Sequence, residues 1–204
     1  NPHNPVGHVW TEDEMNQLFS ICERHGVLII SDEIHQDLIT GSTPFTSALT
    51  VASGAYADNI IAMSSLSKSF NMASLHHAEV IIPNEKLRGQ YNAYKTHVYH
   101  TDSDVIAETA ITVAYTHPEA EAWLTDVLAV IRENYEYLCR ELCTALPQIR
   151  ISPMDGTYLA WIDFGAYVKA EDMHDLFENK CRIAALHQAL ANGLEAKTTP
   201  PLYA

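Results

Sequence analysis

Positive charge is scarce in this chain. Lysine and arginine number 12 against 26 aspartates and glutamates, giving a formal net charge of −14, and no basic run interrupts the acidic excess. Phosphate backbones are bound by concentrated positive charge, so a nucleic-acid partner is excluded. Long apolar runs are lacking as well, since none approaches the ~18–20 residues of a membrane span. The opening residues, NPHNPVGHVW, have neither the charged nor the apolar region of a secretion signal. These absences together point to a cytoplasmic protein. Cysteine is sparse: Cys22, Cys139, Cys143 and Cys181 show no CxxC spacing, and three of them fall in apolar helical patterns where a small hydrophobe fits. They read as structural thiols. The 11 histidines are scattered, and His76 and His77 have neighbours pointing in different directions, so no metal site is expected. Internal repeats and low-complexity segments are also missing.

What is present suffices for a real core, because 47% of the 204 residues are hydrophobic. TEDEMNQLFSICERHG predicts a helix in which Thr11 caps, Glu14 completes a capping box, and Met15, Leu18, Phe19 and Cys22 share a face; Gly26 ends it. VLIIS (27–31) has the continuous apolarity of a strand buried on both faces, and IIAMS (60–64) is a second such run. A helix between buried strands implies α/β layering. AEVIIP is a third strand, closed by Pro83, and NEKLRGQYNAYKTHV is helical. Pro118 to about Leu146 reads as one long helix with Trp123, Val127, Val130, Ile131, Leu138 and Leu142 in an apolar stripe, the mark of core or interdomain packing. GTYLAWIDF follows as a strand and AEDMHDLFENKC as a helix. The spacing places a boundary near residues 116–119, dividing the chain into 1–118 and 119–204.

Ligands of open α/β sheets sit at the carboxyl ends of parallel strands. Three polar residues occupy such places: Asp32 directly after VLIIS, Lys68 just after IIAMS in SSLSKSFN, and Asn4 in the turn NPHNPVG. Singly, each has a plainer reading, Asp32 as a helix cap, Asn4 as a turn former and Lys68 as a solvated amine. Together they match one cofactor. Pyridoxal phosphate needs a lysine for its Schiff base, a carboxylate that keeps the ring nitrogen protonated, and a hydrogen-bond donor at the ring hydroxyl.

NPHNPVGHVWTEDE, ISDEIHQDLI, SSLSKSFNMAS and DGTYLAWIDF resemble, in order, signatures of the fold-type I, pyridoxal-phosphate-dependent class I/II aminotransferase superfamily. The pairing of PHNPVG with SDEIHQD is most similar to its cystathionine β-lyase (C–S lyase) branch, which includes the maltose-regulon modulator type. The resemblance spans residues 1 to about 187. It implies an α/β fold, with a partial three-layer large domain of the pyridoxal-phosphate-dependent transferase kind (1–118) and a smaller, incomplete α+β carboxyl-terminal domain (119–204). It further implies that Lys68 carries the cofactor and then shuttles the substrate α-proton, and that Asp32 pairs with the pyridinium. The resemblance likewise implies that Asn4 bonds the ring oxygen, that Ile34 packs on a ring face, that His35 lies near that same oxygen, and that Ser65 and Ser67 contact the phosphate.

The activity implied is β-elimination from a sulfur amino acid such as cystathionine or cysteine, giving a thiol, pyruvate and ammonia. An aminotransferase shares the early steps and is the alternative; a non-catalytic remnant or regulatory domain is the reading from a different class. The resemblance also implies a homodimeric parent, because such sites are shared between subunits. Departures from the pattern are specific. Ser74 replaces a glycine, and His76 stands where a phosphate-binding cation or amide often sits. The family's chains are longer, which makes this one look like a fragment. After RIAALHQ the family continues into a glycine- and aromatic-rich segment and a strand bearing the carboxylate-gripping arginine, whereas this chain has ALANGLEAKTTPPLYA. Read one base earlier, with permitted codon choices, that stretch becomes the missing kind of segment, which points to a frameshift near Gln188.

Overall fold

The computed structural model describes residues 1–98 and 105–168. They form two compact units: Asn1–Tyr135 together with Ser152–Trp161, and Glu136–Ile151 together with the chain from Ile162. The expected helix over 170–181, Cys181 and the tail beyond Gln188 lie outside the described residues.

In the first unit, helix α1 (Glu12–Arg24) begins where the sequence predicts. The Thr11 hydroxyl accepts the Glu14 N–H at 3.3 Å, and Glu14 Oε2 accepts the Thr11 N–H at 2.8 Å. Three acidic residues in its first turn suit the positive end of the helix. Met15 and Phe19 are buried, while Leu18, expected on the same face, is exposed. Gly26 stops the helix with φ +61°, and the Val27 N–H returns to the Cys22 carbonyl at 2.9 Å.

Strands β1 (Ile29–Asp32) and β2 (Ile60–Ser64) pair in parallel, Ile29 opposite Ile60 and Asp32 opposite Met63. β3 (Glu79–Ile81) lies antiparallel on the other side of β2. Ile60 and Ala62 pack, with Ile29, against Met15, Phe19, Ala48 and Val51. The expectation that VLIIS is buried on both faces is corrected here. Val27 and Leu28 precede the strand and are exposed, and Ile30, between the half-buried Ile29 and Ser31, is 62% exposed. Among the described residues β1 is an edge strand with one covered face, so apolarity alone overstates its burial.

β2 leads into a single turn, α2 (Leu66–Ser69), and β3 leads into α3 (Glu85–His97), whose cap Asn84 accepts the Leu87 N–H at 3.1 Å. Helix α4 (Val105–Thr116) precedes the 28-residue α5 (Pro118–Ala145), the long helix the sequence predicts. Leu66, Phe70 and Ala114 form a second core, where Phe70 stacks on Trp123 at 5.8 Å and meets Tyr115 edge-on at 5.7 Å. No residue of α5 is fully buried, so its stripe is a half-covered surface.

In the second unit β4 (Arg150–Ile151) pairs antiparallel with β5 (Ile162–Asp163), and Arg150 and Asp163 form an ion pair at 3.0 Å. Only the Ile162–Asp163 part of the predicted strand GTYLAWIDF is regular strand. Thr157, which belongs to the first unit, sits in the left-handed region at φ +69° and donates its N–H to the Leu38 carbonyl at 2.8 Å, which turns the backbone out of an extended path.

Candidate active site

Asp32 closes β1 and is exposed; Glu33, the next residue, turns inward and is buried. Glu33 accepts hydrogen bonds from Ser31 Oγ at 2.9 Å, Ser47 Oγ at 2.8 Å and the Ala48 N–H at 2.8 Å, which fixes the end of the strand. Asp32 Oδ1 accepts the Ile34 N–H at 3.1 Å, the cap-like bond of the plainer reading, and Oδ2 keeps no partner among the described residues. A free carboxylate oxygen therefore remains beside a half-buried Ile34 and a fully buried His35.

His35 is the outlier. It is 3% exposed, and neither ring nitrogen has a hydrogen-bond partner among the described residues. Buried polar atoms are nearly always paired, because leaving one unpaired costs about 1–3 kcal/mol. Burial, reinforced by the nearby Lys68 charge, pushes the imidazole below its ordinary pKa, with Asp32 opposing. His35 is thus held neutral, with one acceptor and one donor nitrogen unused.

Asn4 is exposed in a turn closed by the Gly7 N–H on the His3 carbonyl at 2.8 Å. An open cavity of about 330 Å³ along β1 is lined by Asn4, Asp32, Ile34 and His35, together with residues of α1. Lys68 does not line it, but its charge reaches His35. Parallel pairing of β1 and β2 brings the α2 turn, and Lys68 in it, to the same end of the sheet as Asp32.

Ser65 caps α2. Its hydroxyl donates to the His77 carbonyl at 2.6 Å and accepts the Ser67 N–H at 3.1 Å, so the 2.7 Å contact between the two hydroxyls has Ser67 as donor. Ser65 is buried and Ser67 half-buried. His76 is exposed, in the left-handed region at φ +49°, and lines no part of the cavity. The structure therefore gathers Asn4, Asp32, Ile34 and His35 in one cavity, sets Lys68 within electrostatic reach, and leaves Ser65, Ser67 and His76 outside the lining.

Three residues of the site region carried no sequence expectation. Asp37 Oδ2 accepts Ser69 Oγ at 2.7 Å and Tyr115 OH at 3.0 Å, tying the β1 loop to the turn that holds Lys68. Burial, with the Asp37 charge beside it, pushes the Tyr115 phenol well above its ordinary pKa. Tyr158 meets the His35 ring edge-on, with centroids 5.6 Å apart. Asp37 and Tyr158 fall inside quoted motifs, so they were visible; their partners, remote in sequence, were not.

Residues 1–197 match the class I and II aminotransferase family. The chain belongs to that family. It is 35% identical over 170 residues to the cystathionine β-lyase PatB of Bacillus subtilis (82% of this chain, 42% of that one). It is 37% identical over 164 residues to the protein MalY of Escherichia coli (80% of this chain, 40% of that one). Among solved structures, the pyridoxal-phosphate-bound C–S lyase of Staphylococcus hominis aligns with a TM-score of 0.75 at 34% identity, covering 87% of this chain and 44% of that one. The family's α/β fold is therefore present here in part, as the motifs implied. This chain spans about 40% of the length of the curated relatives it matches.

Proposed function

We propose that this chain is part of a pyridoxal-phosphate-dependent C–S β-lyase that eliminates a thiol from a sulfur amino acid of the cystathionine or cysteine kind, water then hydrolysing the remaining enamine to pyruvate and ammonia. The observation that carries the reading is the buried, unpartnered His35 imidazole sharing a cavity with Asn4 and the free Asp32 oxygen. That donor set fits the cofactor: an acid for a protonated ring nitrogen, an amide and an imidazole for a ring oxygen, and an apolar side chain, Ile34, for a ring face. Lys68 is the amine that holds it. Ser65, Ser67 and, when protonated, His76 complete the set as phosphate contacts carried over from the family pattern.

Bound there, the cofactor supplies an electron sink for negative charge developing at the substrate α-carbon. Asp32 keeps the ring nitrogen protonated, which makes the sink effective. Lys68 Nζ, which would hold the cofactor, would also take the substrate α-proton and return it. The thiolate then departs from the β-carbon. Residues 1–118 serve in this reading as part of the large cofactor-binding domain of a cytoplasmic homodimer, and 119–204 as part of the small one.

The test is an absorbance titration followed by an assay. Purified protein with pyridoxal phosphate should gain a near-visible band that Lys68→Ala removes. The full-length parent supplied with cystathionine should release pyruvate without any added 2-oxo acid. A parent that makes product only when a 2-oxo acid accepts the amino group is an aminotransferase, and a protein that never acquires the band is no lyase of this kind.

A further inference from the structure

The segment Met154–Tyr158 lies far along the chain from the residues of the candidate site, yet it is bonded into both loops that carry them. The Asp155 and Gly156 N–H groups both donate to the Gly7 carbonyl, at 3.0 and 2.9 Å, in the loop of Asn4. On the other side, the Thr40 and Gly41 N–H groups donate to the Asp155 carbonyl at 2.9 and 2.8 Å. Thr40 Oγ1 donates to the Met154 carbonyl at 2.9 Å, and the Thr157 N–H donates to the Leu38 carbonyl at 2.8 Å. These bonds grip the far end of the loop that holds Ile34 and His35.

The packing leaves no slack. A Cβ on Gly156 would lie 2.7 Å from Pro2 Cγ and 2.9 Å from Val9 Cγ2, and Thr157 is fully buried. The turn ends by delivering Tyr158, 43% exposed, edge-on against the His35 imidazole at 5.6 Å and 69°. An aromatic edge against a neutral imidazole is a favourable, orienting contact, and here it also shields one side of a ring that makes no hydrogen bond within the described chain.

We infer that Tyr158 is a positioning residue of the candidate site: it fixes the His35 imidazole and keeps water from it, while the turn that carries Tyr158 fastens the Asn4 loop to the Asp32–His35 loop. Tyr158 acts through His35 and the two loops. The inference rests on the cofactor reading above for its consequence, since a fixed His35 presents its open nitrogen to the cofactor.

The charged groups facing His35 are Lys68, Asp32 and the amino terminus, and all three remain in a Tyr158 variant. The experiment therefore compares the unsubstituted protein, Tyr158→Phe and Tyr158→Ala in two measurements. The first follows the His35 ring by NMR through a pH titration without cofactor. The second titrates pyridoxal phosphate by its near-visible absorbance. In Tyr158→Ala the His35 midpoint should rise, because water reaches the ring, and the dissociation constant for pyridoxal phosphate should rise about tenfold. Tyr158→Phe should leave both unchanged. An unmoved His35 midpoint in Tyr158→Ala overturns the inference, as does a moved midpoint with unchanged cofactor affinity. If the unsubstituted protein takes up no pyridoxal phosphate, the cofactor reading fails, and the NMR measurement alone then decides whether Tyr158 fixes His35. Should Tyr158→Ala not fold, Tyr158→Ser, which also removes the ring and admits water, replaces it with the same expected directions.

Discussion

Among single residues, His35 and Asp37 hold the site region in opposite ways. His35 is buried neutral and its folded-state pKa is depressed, chiefly by burial. The unfolded chain therefore binds a proton that the folded chain refuses. The stability contributed is complete above the unfolded value of ~6.5 and is lost as pH falls below it. Urea unfolding at about pH 7.5 and about pH 5.5 should show a drop at the lower pH that is smaller in His35→Phe; an equal drop in the variant would mean that another group is responsible. Asp37 instead anchors two hydroxyls, one of them on the buried Ser69. Asp37→Ala should destabilise by about 1–3 kcal/mol in denaturant melts, because the Ser69 hydroxyl loses its acceptor. The candidate site was legible at this scale where chemistry is local. Asn4, Asp32 and Lys68 stand out because their residue types at strand ends match one cofactor's needs. Tyr158 and Tyr115 did not stand out, because a tyrosine gains such a role only from what the fold sets beside it.

At the scale of elements, signals confined to one segment held. The capping box at Thr11 and Glu14 starts α1 within a residue of its expected place, and Pro118 opens α5. Thr11→Ala should lower stability by ~1 kcal/mol, read from the midpoint of thermal or urea unfolding, and Thr11→Ser should restore it. Signals that depend on neighbouring segments held less well. VLIIS carries the composition of a doubly covered strand, yet coverage belongs to whatever packs on it, and only the α1 side is packed among the described residues. GTYLAWIDF reads as strand from its β-branched and aromatic content, but the hydrogen bond from Thr157 to Leu38 overrides that preference.

Viewed as a whole molecule, the chain combines a firmly packed first unit with open apolar surface. Ile30 projects from the sheet, and Val105, Ile106 and Trp123 are exposed around a second cavity of about 600 Å³ next to Phe70. Surface of this kind promotes self-association. Ile30→Lys should leave unfolding stability within about 0.5 kcal/mol while reducing concentration-dependent association in sedimentation experiments. Unchanged association would move attention to the Val105–Trp123 side.

The hydrogen bond between Thr40 and Met154 spans 114 positions of sequence. A ribosome releases residues in order, so the chemically equipped stretch up to His35 emerges long before the turn that fastens it. Until that turn is made, the nascent site has its functional groups but no latch. A polypeptide halted before Tyr158 would carry the Asn4 loop and the Asp32–His35 loop without the bonds that join them, so on the cofactor reading proposed above coenzyme capture would wait for that turn.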